Sequence, residues 1–114
     1  MTAAPSDFHA HVYFDAESLA RARRLCEAAR DRFGLAMGRL HEREVGPHPR
    51  WSCQLTIPTA RLGEVLAWLA LNRDGLVIFV HPNTGDDLAD HRDRAIWMGG
   101  MPPLKLEVFG APGA

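Results

Sequence analysis

The chain has 114 residues, of which 46% are hydrophobic and 24% charged, and its formal net charge at pH 7 is −1. These values are ordinary for one globular domain, so we expect residues 1–114 to form a single domain with a flexible N-terminus at 1–6. A nearly neutral chain offers no positive field for phosphates, which excludes nucleic acid as a partner. No secretory signal or long apolar run is present, and Cys26 and Cys53 fall within helix and strand patterns. We therefore expect a reduced, cytoplasmic protein that does not contact a membrane.

Strand and helix patterns alternate along the chain. In chain order, the predicted elements are a strand at 8–14, a helix from Asp15 to Gly34, a weaker strand at 35–42, a strand at 50–57, a helix opened by Pro58, a strand at 76–80, a short helix at 88–97 and a last short strand at 104–108. The stiff turn at 46–49 is short enough to join its two flanking strands as an antiparallel hairpin.

This order is the split β-α-β plan, and the fold we predict is a ferredoxin-like α+β sandwich with an antiparallel sheet and a C-terminal extension. Right-handed crossovers give the strand order 4-1-3-2, with the first strand central and the fourth beside it. Both helices then cover the same face of the sheet. The other, helix-free face carries apolar side chains, and an exposed apolar face predicts a two-fold homodimer. The competing prediction is that the C-terminal segment folds over it. The apolar side chains assigned to this face are Tyr13, Met37, Val77 and Phe79.

All six histidines lie at strand ends, on one strand face or in tight loops. His9 and His11 share one face of the first strand, a spacing that two ligands of one metal can use. Because the start of the first strand meets the end of the fourth, His81 should approach this pair, with His91 nearby. The two histidines predicted at the opposite end of the sheet are His41 and His48.

The loop after the fourth strand combines turn residues with carboxylates. Asp86, Asp87 and Asp90 crowd between His81 and His91, behind the turn sequence at 83–86. Loops that a rigid scaffold holds in place often carry function. We therefore expect a functional site at this end of the sheet.

Four motifs in order, together containing every histidine, resemble the DOPA 4,5-dioxygenase family. They are F-H-A-H-V-Y-F-D at 8–15, G-R-L-H-E-R-E-V-G-P-H-P at 38–49, L-A-L-N-R at 69–73, and V-H-P-N-T-G-D-D-L-A-D-H at 80–91 with A-I-W-M-G at 95–99. The resemblance implies a ferredoxin-like fold and a non-haem Fe(II) enzyme that opens a catechol ring by extradiol cleavage with O₂. It does not give the substrate.

Extradiol chemistry requires Fe(II) held on one side by about three protein ligands, so that catechol and O₂ can take the other positions. We predict His11 and His81 as ligands, with His9 next. A histidine outside the ligand set can exchange protons with the catechol, and His48 and His91 are the candidates for that role. His48 becomes a ligand instead if its loop folds in or a dimer partner supplies it.

The sequence does not decide which carboxylate, if any, completes the set of metal ligands. Glu42, Asp86 and Asp87 qualify by position, and an all-histidine triad is the alternative. We expect Asp90 to orient His91 or to cap the short helix.

Substrate contacts are predicted for three side chains on the histidine face. Arg39 and Arg50, on neighbouring strands, could bind a substrate carboxylate in bidentate fashion. Tyr13 could form a wall of the pocket together with Trp97. A solvated strand surface is the competing interpretation of the arginines.

A second hypothesis, of a different class, assigns the same histidines to ligand binding without catalysis. The chain would then be a dimeric module that binds a small aromatic molecule or a zinc ion. Oxygen-dependent turnover distinguishes this module from the enzyme.

Overall fold

The structure, a computed structural model, describes residues 4–110, so residues 1–3 of the predicted flexible N-terminus lie outside it. Its strands are β1 (Asp7–Phe14), β2 (Ala36–Met37), β3 (Trp51–Pro58), β4 (Ile78–Pro82) and β5 (Ile96–Met98). Its helices are α1 (Leu19–Phe33), α2 (Leu62–Asn72) and α3 (Asp87–Arg92), with 3₁₀ turns at Thr59–Arg61 and Leu106–Phe109. In the described part, no helix is long and apolar enough to cross a membrane.

The five strands form one sheet in the order β2-β3-β1-β4-β5, and every neighbouring pair is antiparallel. This confirms the predicted α+β ferredoxin-like fold and its strand order, with β1 at the centre. The short strand β5 was not predicted and extends the sheet beyond β4. β1 pairs with β3 and β4, the two strands that carry or adjoin the other motifs, and this places its histidines centrally.

The hydrophobic core lies between the sheet and the two long helices. Alternation along β1 turns Ala10, Val12 and Phe14 toward α1, and all three are buried. Burying a side chain of the size of valine or phenylalanine stabilises the fold by roughly 1.5–3 kcal/mol relative to leaving it exposed. Helix α1 ends as predicted at Gly34, whose φ of 67° places it in the left-handed region that glycine adopts at low cost.

The second strand differs most from its prediction. Regular pairing in β2 covers only two residues, with Met37 opposite Leu55, and an isolated bridge then joins His41 to Ser52. Met37 and His41 are four residues apart, whereas their partners Leu55 and Ser52 are three residues apart. The segment 37–41 therefore contains one extra residue, which defines a β-bulge. The bulge reverses the alternation between the two pairs. Met37 therefore packs against the core, contrary to its predicted place on the helix-free face.

Four other predictions of element limits were also wrong. The first helix begins at Leu19 and not at Asp15, whose carboxylate accepts from the Ser18 amide in the preceding turn. Pro58 is the last residue of β3, and α2 begins four residues later. The helix predicted at 88–97 ends at Arg92, because the amides of both following residues bond to the Ala89 carbonyl, and the chain then enters β5. The strand predicted at 104–108 is a 3₁₀ turn.

The helix-free face is largely covered, so the exposed apolar surface that suggested a homodimer is absent from the described structure. The C-terminal segment folds over this face, as the competing prediction held. Its Lys105 amide donates to the Pro47 carbonyl at 2.8 Å, and the Lys105 ammonium lies 2.7 Å from Glu44. Beneath this cover Phe79 is 0% and Tyr13 1% exposed.

Candidate metal centre

Strand register brings three histidines together on the covered face. His9 pairs directly with His81 across β1 and β4, and His11 follows His9 on the same side of β1. The Nε2 atoms of His11 and His81 lie 3.0 Å apart. One ring nitrogen from each of the three residues lies within 4.8 Å of the others, so these side chains could hold a metal ion.

The arrangement fits a divalent metal ion. Imidazole nitrogens bind such ions at about 2.0–2.1 Å, so two adjacent ligand nitrogens are roughly 3 Å apart, close to the His11–His81 separation. The Nδ1–H of His81 donates to the Pro82 carbonyl at 2.9 Å. That bond places the His81 lone pair on Nε2, which lies at hydrogen-bond distance from Nε2 of His11, and a bound metal ion would take the place of the proton between them.

Burial keeps these imidazoles neutral. Desolvation lowers the pKa of His81 to about 4 and the pKa of His11 well below its ordinary value, and it also lowers the pKa of His9. Neutral imidazole is the form that binds a metal. The centre therefore needs little proton release to accept one near neutral pH.

His48 joins this cluster, contrary to its prediction at the far end of the sheet. Its ring centroid lies 4.1 Å from that of His11, and the Tyr13 hydroxyl is 2.8 Å from its Nδ1. The reason is the turn at 45–48, where the His48 amide bonds to the Val45 carbonyl and the loop folds back over the sheet. Burial lowers the pKa of His48 to about 4 and raises that of Tyr13.

His91 covers the other side of the cluster, as expected. Helix α3 places its ring 4.0 Å from that of His81, and the ring of Phe109 lies 4.5 Å beyond. Its Nδ1–H donates to the Asp87 carbonyl at 2.7 Å. His91 thus approaches the triad with Nδ1 engaged by the Asp87 carbonyl.

No carboxylate belongs to the group of candidate ligands within residues 4–110. Glu42, Asp86 and Asp87 are all exposed, and the Asp86 side chain caps α3 by accepting from the Ala89 amide. The geometry therefore favours the all-histidine triad over a mixed set.

Asp90 neither caps α3 nor orients His91, contrary to expectation. Its carboxylate is 1% exposed and accepts hydrogen bonds from the amide and hydroxyl of Thr84 and from the Arg94 guanidinium. Desolvation would raise its pKa, but these bonds outweigh burial and lower it. Asp90 thereby closes the loop that connects His81 to His91.

The predicted substrate contacts are not gathered at the triad. Arg39 lies in the bulge beyond β2 and Arg50 just before β3, and both are exposed. Arg50 and Tyr13 line a cleft of about 560 Å³ at the end of β1 away from His9. Trp97 stacks on Phe79 at 4.5 Å and supports the face beneath the histidines.

Two polar residues beside the triad, Gln54 and Thr56, were not predicted as site residues. They face His11 and His9 across the β1–β3 pairing. Alternation along the third strand assigns both to the histidine face, so the sequence held the signal. The packing of Phe109 had no such signal, because the alternation at 104–108 predicts a strand, whereas the segment forms a 3₁₀ turn.

Comparison with known proteins agrees with the fold and identifies the family. The sequence matches the model of the Dopa 4,5-dioxygenase family over residues 8–108. A crystal structure of a Nostoc punctiforme protein, provisionally called a dioxygenase, superposes with a TM-score of 0.89 at 41% identity, covering 91% of this chain and 90% of that one.

Two fungal relatives are longer than this chain. An uncharacterized 21.2 kDa protein of Botryotinia fuckeliana is 36% identical over 113 residues, covering 89% of this chain and 62% of that protein. A DOPA 4,5-dioxygenase of Amanita muscaria is 31% identical over 110 residues, covering 88% of this chain and 48% of the enzyme. The chain thus spans about half to three-fifths of the length of these relatives. Because the family match runs through almost all of the described residues, the chain belongs to the Dopa 4,5-dioxygenase family.

Proposed function

We propose that this protein is a non-haem Fe(II) extradiol dioxygenase that opens the ring of a catechol, DOPA or a related dihydroxy-aromatic, with O₂. The observation that carries the proposal is a cluster of five histidines, of which three could hold a metal and two flank it. A purely structural metal site would be closed by four protein ligands, whereas three leave positions open.

In this proposal His9, His11 and His81 bind the iron, and His48 and His91 remain free to exchange protons. Bound Fe(II) would supply an electron-rich centre at which catechol and O₂ meet. The protein side chains position that centre, exclude water from it and move protons around it. The stacked rings of Phe79 and Trp97 form its apolar floor.

Hydrogen bonding assigns different protonation states to the two flanking histidines. His91 holds its proton on Nδ1, where a carbonyl accepts it, so its Nε2 can take a proton from a catechol hydroxyl. In the proposal the Tyr13 hydroxyl donates to Nδ1 of His48, so that His48 carries its own proton on Nε2. His48 then offers a hydrogen-bond donor to the substrate, and the Tyr13 hydroxyl, whose pKa burial raises, keeps its proton and holds that tautomer.

Arg39, Arg50 and Tyr13 remain proposed substrate contacts, but their predicted roles are not equal. Tyr13 acts mainly through His48, because its hydroxyl is engaged there. Arg50, beside Tyr13 in the cleft, is the better placed of the two arginines to attract a carboxylate.

The cytoplasmic setting is also proposed, and both cysteines are free and buried. All five histidines come from one chain, so the predicted homodimer is not required.

The observation that favours the binding module is the all-histidine character of the triad. Three neutral imidazoles bind Zn²⁺ as readily as Fe(II). In the module hypothesis a metal or a small aromatic molecule is held without ring cleavage.

The test is oxygen uptake by protein loaded with Fe(II) without air, then mixed with DOPA and a panel of catechols. We expect uptake in step with a yellow semialdehyde product. His81→Ala should lose both iron and uptake, whereas His91→Gln should keep the iron and lose turnover by roughly 10²-fold. His41→Gln, outside the cluster, is the matched control and should keep both. Stoichiometric iron without uptake on any catechol would favour the binding module.

A further inference from the structure

Part of the helix-free face is not covered by the loop at 42–50 or by the C-terminal segment. His11 and His81 are only 4% and 2% exposed beneath the loop at 42–50 and the C-terminal segment. Where β1 and β3 pair beside the triad, the side chains of this face that remain partly exposed are His9, Gln54 and Thr56. Their strands β1 and β3 are paired on both sides, so within residues 4–110 this exposure is to the space above the face. The triad is therefore reached from the side of β3 and β2.

Gln54 is the polar side chain that stands at this opening. It is the register partner of His11, so their Cβ atoms are about 5 Å apart on the same face. Thr56 stands in the same relation to His9. Among the hydrogen bonds of the described residues, none involves the Gln54 side-chain amide, which leaves its N–H and its carbonyl oxygen available to a ligand.

Gly38 keeps the space beside Gln54 empty. A Cβ on Gly38 would lie 3.7 Å from the Gln54 Cβ, so the two positions point to the same face. That distance is ordinary van der Waals contact, and the φ of Gly38 lies outside the left-handed region. Neither the backbone nor a clash requires glycine here. Its effect is to leave room for a ligand.

We propose that the aromatic ligand enters over β2 and β3, through a window lined by Gly38, Gln54 and Thr56, and that the Gln54 amide binds its polar edge. This inference rests on the proposed function and names the residues that decide which rings fit. An amide both donates and accepts, which suits a ring hydroxyl and its deprotonated neighbour together. The apolar edge of the ring packs toward Phe79 on the opposite side.

Binding of 4-nitrocatechol tests the window without turnover. The probe is titrated without air into Fe(II)-loaded protein, and its absorbance change gives Kd. We expect Gly38→Leu to raise Kd more than about 10-fold by filling the window, and Gln54→Ala to raise it about 3- to 10-fold by removing one hydrogen bond. Gly63→Leu, at an exposed helical glycine with open space around it, should leave Kd unchanged.

Iron stoichiometry and thermal unfolding of each variant show whether the triad and the fold are intact. Wild-type binding with an unchanged Kd in both Gly38→Leu and Gln54→Ala would overturn the window and leave the proposed function standing. Absence of probe binding to the iron-loaded wild type would instead overturn the proposed function, and the window with it. If Gly38→Leu does not fold, the Gln54→Ala comparison decides alone.

Discussion

Mild acid should destabilise the metal-free protein through its buried histidines. Burial lowers the pKa of His48 and His81 to about 4 in the folded chain, against an ordinary value near 6.5. Between these values the unfolded chain binds more protons than the folded one. The stabilising contribution is therefore complete above about pH 6.5 and decreases as the pH falls toward about 4.

The magnitude follows from the same values. Lowering the pH from about 7.5 to about 5 should remove roughly 2 kcal/mol per histidine, or about 4 kcal/mol for the pair, from a total stability of 5–15 kcal/mol. Urea unfolding of chelator-treated protein at both pH values measures this loss. In His48→Gln the share of that residue, roughly 2 kcal/mol, should disappear from the loss, whatever the stability of the variant at neutral pH. A free energy of unfolding that stays flat over this range would refute the argument that burial keeps these imidazoles neutral.

Three further substitutions test separate parts of the site. Tyr13→Phe should lower kcat about 10-fold with unchanged KM and iron content, because the hydroxyl that sets the protonation of His48 is lost; an unchanged kcat would remove Tyr13 from this role. Asp90→Ala should lower the free energy of unfolding by about 2–4 kcal/mol in urea, since it strips three hydrogen bonds from a buried loop. Glu42→Gln should leave iron stoichiometry unchanged by metal analysis, and a loss of iron would restore the carboxylate ligand.

The central part of the fold and of the site could be predicted because both depend on regular periods. Alternation assigns His9 and His11 to one face of β1, and the split β-α-β order then brings the end of β4 beside them. The pairing of His9 with His81 follows from those two facts alone. No tertiary contact of the loops is needed to derive it.

The parts that were mispredicted depend on interruptions of those periods. The bulge between Met37 and His41 adds one residue to one strand, and this reverses which side chains face the core. His48 was placed at the far end because sequence distance along a hairpin suggested it, whereas the turn at 45–48 returns the loop over Tyr13. The packing of Phe109 on His91 joins a C-terminal 3₁₀ turn to helix α3, and such a long-range contact has no spacing rule.

The three histidines are neutral, and this affects which protonation state of a ligand binds best at the metal. Three neutral imidazoles would leave a bound divalent ion with its full charge. Among the surrounding carboxylates, Asp86 and Asp87 are exposed and the buried Asp90 is bound by Thr84 and Arg94. In a site this deeply buried, an uncompensated charge is costly, so an anionic ligand gains more here than it would in water. In the proposed function, a catechol that loses a proton to His91 would supply that negative charge. The proposed all-histidine triad would therefore favour the deprotonated ring over the neutral one.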